Sequence, residues 1–231
     1  MIKGVIFDVD GVLLNSMLIW KDLGARYLKS IGKVPETGLG DILFSMSMEQ
    51  GADYLKKNYD LDKSEDEIIE GISKMLEDFY FYEVDLKPGV KAMVEYLRSK
   101  GIRMAAATSS PREHIERALG RNEIAGYIEK IYTTSEVGRS KHFPLIYNLA
   151  SEYLGTKPQE CLVFEDSLYA LETAMKAGYK TVGVYDKEGE MNQEGLKELA
   201  DIYLLSISDF GLEGKLPGLI NEYRLDKLII N

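Results

Sequence analysis

Gly4-Val5-Ile6-Phe7-Asp8-Val9-Asp10-Gly11-Val12-Leu13-Leu14-Asn15-Ser16 holds a short apolar run that stops abruptly at two carboxylates and a glycine. Val5, Ile6 and Phe7 do not alternate with polar residues, which suits a strand buried on both faces of a parallel sheet. Asp8 and Asp10 are two residues apart, so in an extended segment their side chains point to the same side. Gly11 gives the chain freedom to turn away.

Four further runs are rich in β-branched and aromatic residues, most of them without alternation: Arg103–Ala107, Ile128–Thr133, Cys161–Phe164 and Thr181–Tyr185. Ile202–Leu205 is a sixth, expected at an edge. Helical patterns alternate with them. Pro88 opens one, with Val90, Met93, Val94 and Leu97 on one face and Gly101 at its end. Ser110-Pro111-Arg112-Glu113 reads as a capping box. Phe143–Leu154 is a third, and Ser167 starts a fourth that ends at Gly178. Strand alternating with helix predicts a doubly wound, mainly parallel α/β sheet of the Rossmann type.

One stretch breaks the alternation. After Ser16 only helical patterns appear until about Asp85. Trp20, Leu23, Tyr27, Leu28 and Ile31 share a face. Ser47-Met48-Glu49-Gln50 and Ser64-Glu65-Asp66-Glu67 are capping boxes, the second followed by Ile68, Ile72, Met75, Leu76 and Phe79 at helical spacing. This length exceeds an ordinary connection. The expected organisation is an α/β core over residues 1–15 and 87–231, with an all-helical cap over 16–86.

Composition sets limits on function. The chain has 231 residues, 28 Lys and Arg, 38 Asp and Glu, and a net charge of −10, which disfavours nucleic acid as a partner. A share of 45% hydrophobic and 29% charged residues is that of a soluble globular protein, not of a disordered one. No apolar run approaches the ~18 residues of a membrane span, and Asp8 and Asp10 fall where a signal peptide would need its apolar stretch, so secretion is not expected. The single Cys161 excludes a disulfide framework and reads as a buried, inert thiol. A cytoplasmic protein, monomeric or weakly dimeric, is expected.

In an open α/β sheet, ligands bind beyond the carboxyl ends of the strands. Those ends carry Asp8-Val9-Asp10-Gly11, Thr108-Ser109-Ser110 and Glu165-Asp166-Ser167, and the segment after the third run carries Lys141. Several carboxylates in one crevice repel each other unless a cation neutralises them, and an oxygen-only donor set suits Mg²⁺. Thr108 and the N-terminal amides of the helix beginning near Ser110 would hold an anion, with Lys141 as balancing charge. The chemistry these groups suit is phosphoryl transfer. Asp8 would be the nucleophile. Asp10 would protonate the leaving-group oxygen and then deprotonate the attacking water.

The segment Asp8-Val9-Asp10-Gly11-Val12-Leu13-Leu14-Asn15-Ser16 resembles the first motif of the haloacid dehalogenase superfamily, in its subgroup with a helical cap. Thr108-Ser109-Ser110 is similar to the second motif, Lys141 to the third, and Phe164-Glu165-Asp166-Ser167 to the fourth. The resemblance runs from Lys3 to about Asp186. It implies that Asp8 is nucleophile and metal ligand, and that Asp10 is general acid/base with its backbone carbonyl on Mg²⁺. It implies that Thr108 and the Ser109 amide bind the phosphoryl group, that Lys141 bridges phosphate and Asp8, and that Asp166 with Glu165 completes the metal site. The dehalogenase members lack the acid/base residue present here as Asp10, so the resemblance implies a phosphatase acting on a small phosphorylated metabolite.

Two departures from the family pattern stand out. The third motif usually reads Lys-Pro-x-Pro, and here it is Lys141-His142-Phe143-Pro144. β-Phosphoglucomutases, which share the cap, carry a His where this chain has Trp20 and an Arg where it has Met48. Both changes remove polar groups used on a sugar phosphate, which favours hydrolysis over mutase chemistry. A phosphomutase and a pyrophosphatase are the alternative enzymes, and a non-catalytic phosphometabolite sensor is a third reading that an intact Asp8 opposes. Arg112 reads equally as a substrate contact or a surface residue. His114 and His142 are read as non-catalytic. Trp20, Met17, Met46 and Met48 are candidates to line a pocket under the cap.

Overall fold

The computed structural model describes residues 2–43 and 46–210. By its internal contacts the chain divides into two units, one comprising residues up to Asn15 and from Asp85 onward, the other Ser16–Val84.

The first unit is built on a six-stranded sheet: β1 (Gly4–Phe7), β2 (Arg103–Thr108), β3 (Lys130–Thr133), β4 (Cys161–Glu165), β5 (Lys180–Val184) and β6 (Ile202–Leu204). Their order is β3-β2-β1-β4-β5-β6, and every pairing is parallel. The chain moves outward from β1 to β3, then crosses back to place β4 on the other side of β1. That reversal opens a crevice at the carboxyl ends of β1 and β4. Phe7 pairs with Phe164, so Asp8, which follows β1, and Glu165, the last residue of β4, are brought side by side. The Asp8 amide extends the ladder by donating to the Phe164 carbonyl at 2.9 Å.

Helices cover both faces, which is why the strands show no alternation. The helices of this unit are α5 (Val90–Ser99), α6 (Arg112–Arg121), α7 (Thr134–Val137), α8 (Leu145–Tyr153), α9 (Leu168–Lys176) and α10 (Gln193–Leu199); α1 to α4 belong to the second unit. On one face Ile6, Ala105, Ala107 and Val163 pack against Ile146, Tyr147 and Ala150 of α8 and Ala174 of α9. On the other an aromatic chain runs from Phe7 through Phe164 and Phe210 to Tyr96 of α5, with ring centroids 4.9, 6.0 and 6.3 Å apart. Cys161 is fully buried, and burial pushes its thiol up to about 12, consistent with an inert core residue.

Among the described residues, the elements of the second unit are all helical: α1 (Met17–Ser30), α2 (Leu39–Leu43), α3 (Met48–Tyr59) and α4 (Glu65–Asp78), the last running into a π-helical turn over Phe79–Glu83. Ser47 and Ser64 both form the expected capping boxes, with Gln50 and Glu67. Ile68, Ile72, Leu76 and Phe79 are buried as their spacing requires. No helix among the described residues is long and apolar enough to cross a membrane.

Three local expectations are corrected. Trp20 is not on the buried face of α1: it is 38% exposed, and Ile19 takes the core position beside Leu23, Tyr27 and Leu28. The helix after Pro88 starts at Val90, because Gly89 adopts φ +90°, outside the helical region. The helix expected from Phe143 starts at Leu145, after a turn in which the Phe143 amide donates to the Ser140 carbonyl.

Candidate active site

Asp8, Glu165 and Asp166 are all buried, and each offers a carboxylate oxygen within 4.8 Å of the others. Asp8 follows β1, Glu165 ends β4 and Asp166 follows it, so the cluster sits at the reversal in strand order. Lys141 reaches the cluster from the loop before α8. Its Nζ donates to Asp8 Oδ1 and, at 2.7 Å, to Glu165 Oε1. The Tyr147 hydroxyl, from α8, donates to the same Glu165 oxygen at 2.8 Å.

The electrostatics follow from burial. Desolvation, with the nearby negative charge of Glu165 and Asp10, pushes the Asp8 carboxyl up to about 8, although Lys141 opposes the rise. Asp166 is also held well above the usual carboxylate range, chiefly by burial and then by Asp8 and Glu165. Burial alone would depress the Lys141 ammonium, but Asp8 and Glu165 outweigh it and keep the group protonated. One ammonium thus faces three buried carboxyl groups. This excess of oxygen donors over positive charge is a donor set that could hold a hard divalent cation between Asp8, Glu165 and Asp166.

Asp10 and Ser110 form a second pair. The Ser110 hydroxyl donates to Asp10 Oδ2 at 2.6 Å, joining the segment after β2 to that after β1. The expected capping box of Ser110 is therefore not made: the N-cap of α6 is Pro111, and no side chain caps it. Thr108 is fully buried at the end of β2, and its hydroxyl accepts from the Ser110 amide at 3.1 Å. Ser109 is exposed. Asp10 does not offer a side-chain oxygen to the three-carboxylate cluster.

The remaining polar candidates have structural partners. Arg112 binds Glu136 through two of its nitrogens, Glu116 at 3.2 Å and the Ile131 carbonyl at 2.8 Å, bracing α6 against the β3–α7 segment. The His142 ring stacks on Tyr169 of α9 at 4.4 Å, joining the loop of Lys141 to the helix that follows Asp166. The N-terminus of α9 is capped from a distance, as the Leu168 amide donates to Glu190 Oε2 at 2.9 Å. Gly189 beside it has no room for a side chain: a Cβ would stand 2.9 Å from Asp166 Oδ2. Tyr147 and Glu190 carry no sequence signal, because each acts through a partner remote in the chain.

Within the helical unit, an apolar pocket of about 340 Å³ is lined by Trp20, Leu23, Met46, Met48 and Leu55, among others. Ser47 is on its wall, but that hydroxyl is engaged with Gln50 and Glu49 in capping α3.

The fold and this cluster define an enzyme of the haloacid dehalogenase type, a phosphoric monoester hydrolase. The chain belongs to the haloacid dehalogenase-like hydrolase family, whose sequence model matches residues 5–184. It is 29% identical to a phosphorylated carbohydrates phosphatase of Thermotoga maritima, over 78% of this chain and 83% of that protein. It is 28% identical to hexitol phosphatase A of Escherichia coli, over 79% and 82%. Among solved structures, a Thermotoga maritima protein provisionally described as a β-phosphoglucomutase superposes with a TM-score of 0.80 and 26% identity, covering 90% of this chain and 96% of that one.

Proposed function

We propose that the chain is a Mg²⁺-dependent phosphatase that hydrolyses a small phosphorylated carbohydrate through an aspartyl-phosphate at Asp8. The observation that carries this reading is the buried cluster of Asp8, Glu165 and Asp166 with Lys141 bonded to two of its members.

Asp8, Glu165 and Asp166 would hold the cation. When bound, Mg²⁺ would keep these carboxylates ionised and reduce the Coulomb repulsion between Asp8 and a phosphate dianion. An Asp8 oxygen attacks phosphorus as the ester P–O bond breaks. Asp10 gives its proton to the departing alkoxide and, as carboxylate, takes one from the water that then hydrolyses the acyl phosphate. Lys141 holds Asp8 in place and balances charge on the phosphoryl oxygens. Thr108, with the Ser109 amide and the Ser110 segment, completes the phosphate subsite. Ser110 positions Asp10 through its 2.6 Å hydrogen bond.

The helical unit would act as a cap that selects the substrate. Trp20 and Met48 support hydrolysis over mutase chemistry, since neither is a polar or charged residue of the kind that holds a second phosphate. Names borne by relatives, a phosphorylated carbohydrates phosphatase and a hexitol phosphatase, support a sugar or polyol phosphate as substrate.

A phosphate-release screen over sugar phosphates, polyol phosphates, phosphoglycolate, nucleoside monophosphates and pyrophosphate, with Mg²⁺, tests the reading. Release from a carbohydrate monoester by the wild type and none by Asp8→Asn supports it. Release from pyrophosphate alone, or equal rates for both proteins, overturns it.

A further inference from the structure

Lys87 lies outside the carboxylate cluster and belongs to no motif, yet its side chain is only 11% exposed. Its ammonium donates to the Gly11 carbonyl at 2.7 Å, the Tyr185 carbonyl at 2.8 Å and Asp186 Oδ2 at 2.8 Å. An ammonium has three protons, and each is used. Burying a charged, flexible side chain costs desolvation and rotamer entropy. A neutral side chain would fill this space at lower cost, so the distinctive contribution of Lys87 is the geometry it imposes.

That geometry concerns the turn after Asp10. Gly11 adopts φ +75°, and its amide donates to the Leu14 carbonyl. The Leu13 and Leu14 amides donate back to the Val9 carbonyl, and the Lys87 amide donates to the Leu13 carbonyl. The turn is tied internally at these points, and the Gly11 carbonyl is fixed by the Lys87 ammonium. Lys87 is in turn anchored to the end of β5 through Asp186, whose other oxygen accepts from the Glu188 amide at 2.9 Å. Asp10 is the residue immediately before this clamped glycine.

We infer that Lys87 is a positioning residue for Asp10, clamping the Gly11 carbonyl so that the Asp10 carboxyl meets the leaving-group oxygen. The inference rests on the proposed role of Asp10 as general acid. It has a signature that simple destabilisation lacks. A p-nitrophenolate leaves without a proton, whereas a glycerol or sugar alkoxide needs one. Loss of Asp10 alignment therefore penalises alkyl esters and spares aryl esters.

The test compares kcat/KM on p-nitrophenyl phosphate and on the best alkyl monoester for wild type, Lys87→Met and Asp10→Ala. Lys87→Met leaves the buried Asp186 carboxylate without its ammonium, so Lys87→Met/Asp186→Asn is measured beside it to remove that charge. In either Lys87 variant, a loss on the alkyl ester at least tenfold greater than on the aryl ester is expected. Equal losses on the two esters would reduce Lys87 to a structural role and overturn the inference. A differential in Asp10→Ala without one in the Lys87 variants refutes the Lys87 role alone. No differential in Asp10→Ala removes the acid role of Asp10, and the inference with it.

Discussion

The Ser110 hydroxyl donates a 2.6 Å hydrogen bond to Asp10 Oδ2 across a hundred residues of sequence. This bond commits the Ser110 hydroxyl to Asp10, while the N-cap position of α6 is held by Pro111. Ser110→Ala is expected to lower kcat about tenfold, corresponding to ~1.4 kcal/mol, with KM changed less than twofold. Steady-state kinetics on the best substrate measures both. A change confined to KM would place Ser110 in substrate binding instead.

Removing Asp166 takes one oxygen donor from the proposed cation site. Asp166→Ala is expected to raise the Mg²⁺ Kd by at least about a hundredfold, since its neighbours cannot fill the vacated position. Isothermal titration calorimetry on chelator-treated protein reads this directly. EDTA should silence the wild type and Mg²⁺ restore it. Unchanged Mg²⁺ affinity in the variant would remove Asp166 from the site.

The cation-free protein has a predictable pH dependence. Burial raises Asp8 from the ordinary 3.8 to about 8, so between those limits the folded state holds a proton that the unfolded state releases. The stabilisation is complete below about pH 4 and is lost as pH rises through 8. Asp166 is raised as well and acts in the same direction. Thermal melts in EDTA should show Tm falling from pH 5 to pH 8, and the increase in Tm on adding Mg²⁺ should grow over that window. A cation-free Tm that rises from pH 5 to pH 8 would contradict this assignment.

Lys141→Met removes the ammonium that bonds both Asp8 and Glu165. Breaking one partner out of a buried ionic group costs about 3–5 kcal/mol. A loss in kcat of at least about a thousandfold is expected, the lower end of what a cation stabilising a phosphoryl-transfer transition state supplies. Circular dichroism in saturating Mg²⁺ checks that the fold persists. Activity within tenfold of wild type would exclude Lys141 from the phosphate subsite.

Where sequence and structure agree, the signal is local or repeated. Strands buried on both faces are read from continuous apolar runs, and Ser47 and Ser64 cap α3 and α4 because their box partners lie three residues away. The carboxylate cluster is legible because its members end or directly follow strands, and a parallel sheet collects strand ends at one rim. Where they differ, a distant partner or a neighbouring residue decided the outcome. Asp10 took the Ser110 hydroxyl from its expected cap, and Gly89 delayed the start of α5. Lys87 was invisible because two of its three acceptors are backbone carbonyls, which leave no side-chain pattern. His142, a departure from the family pattern, has a partner no local pattern reveals, since its ring stacks on Tyr169 of α9.

The central claim is that Asp8 carries the phosphoryl group between substrate and water. Rapid acid quench with a ³²P-labelled monoester and Mg²⁺, followed by peptide mapping, measures it most directly. The account predicts a hydroxylamine-sensitive label on the peptide containing Asp8, absent from Asp8→Asn. Turnover by the wild type with no labelled protein, or with the label on another residue, would contradict it.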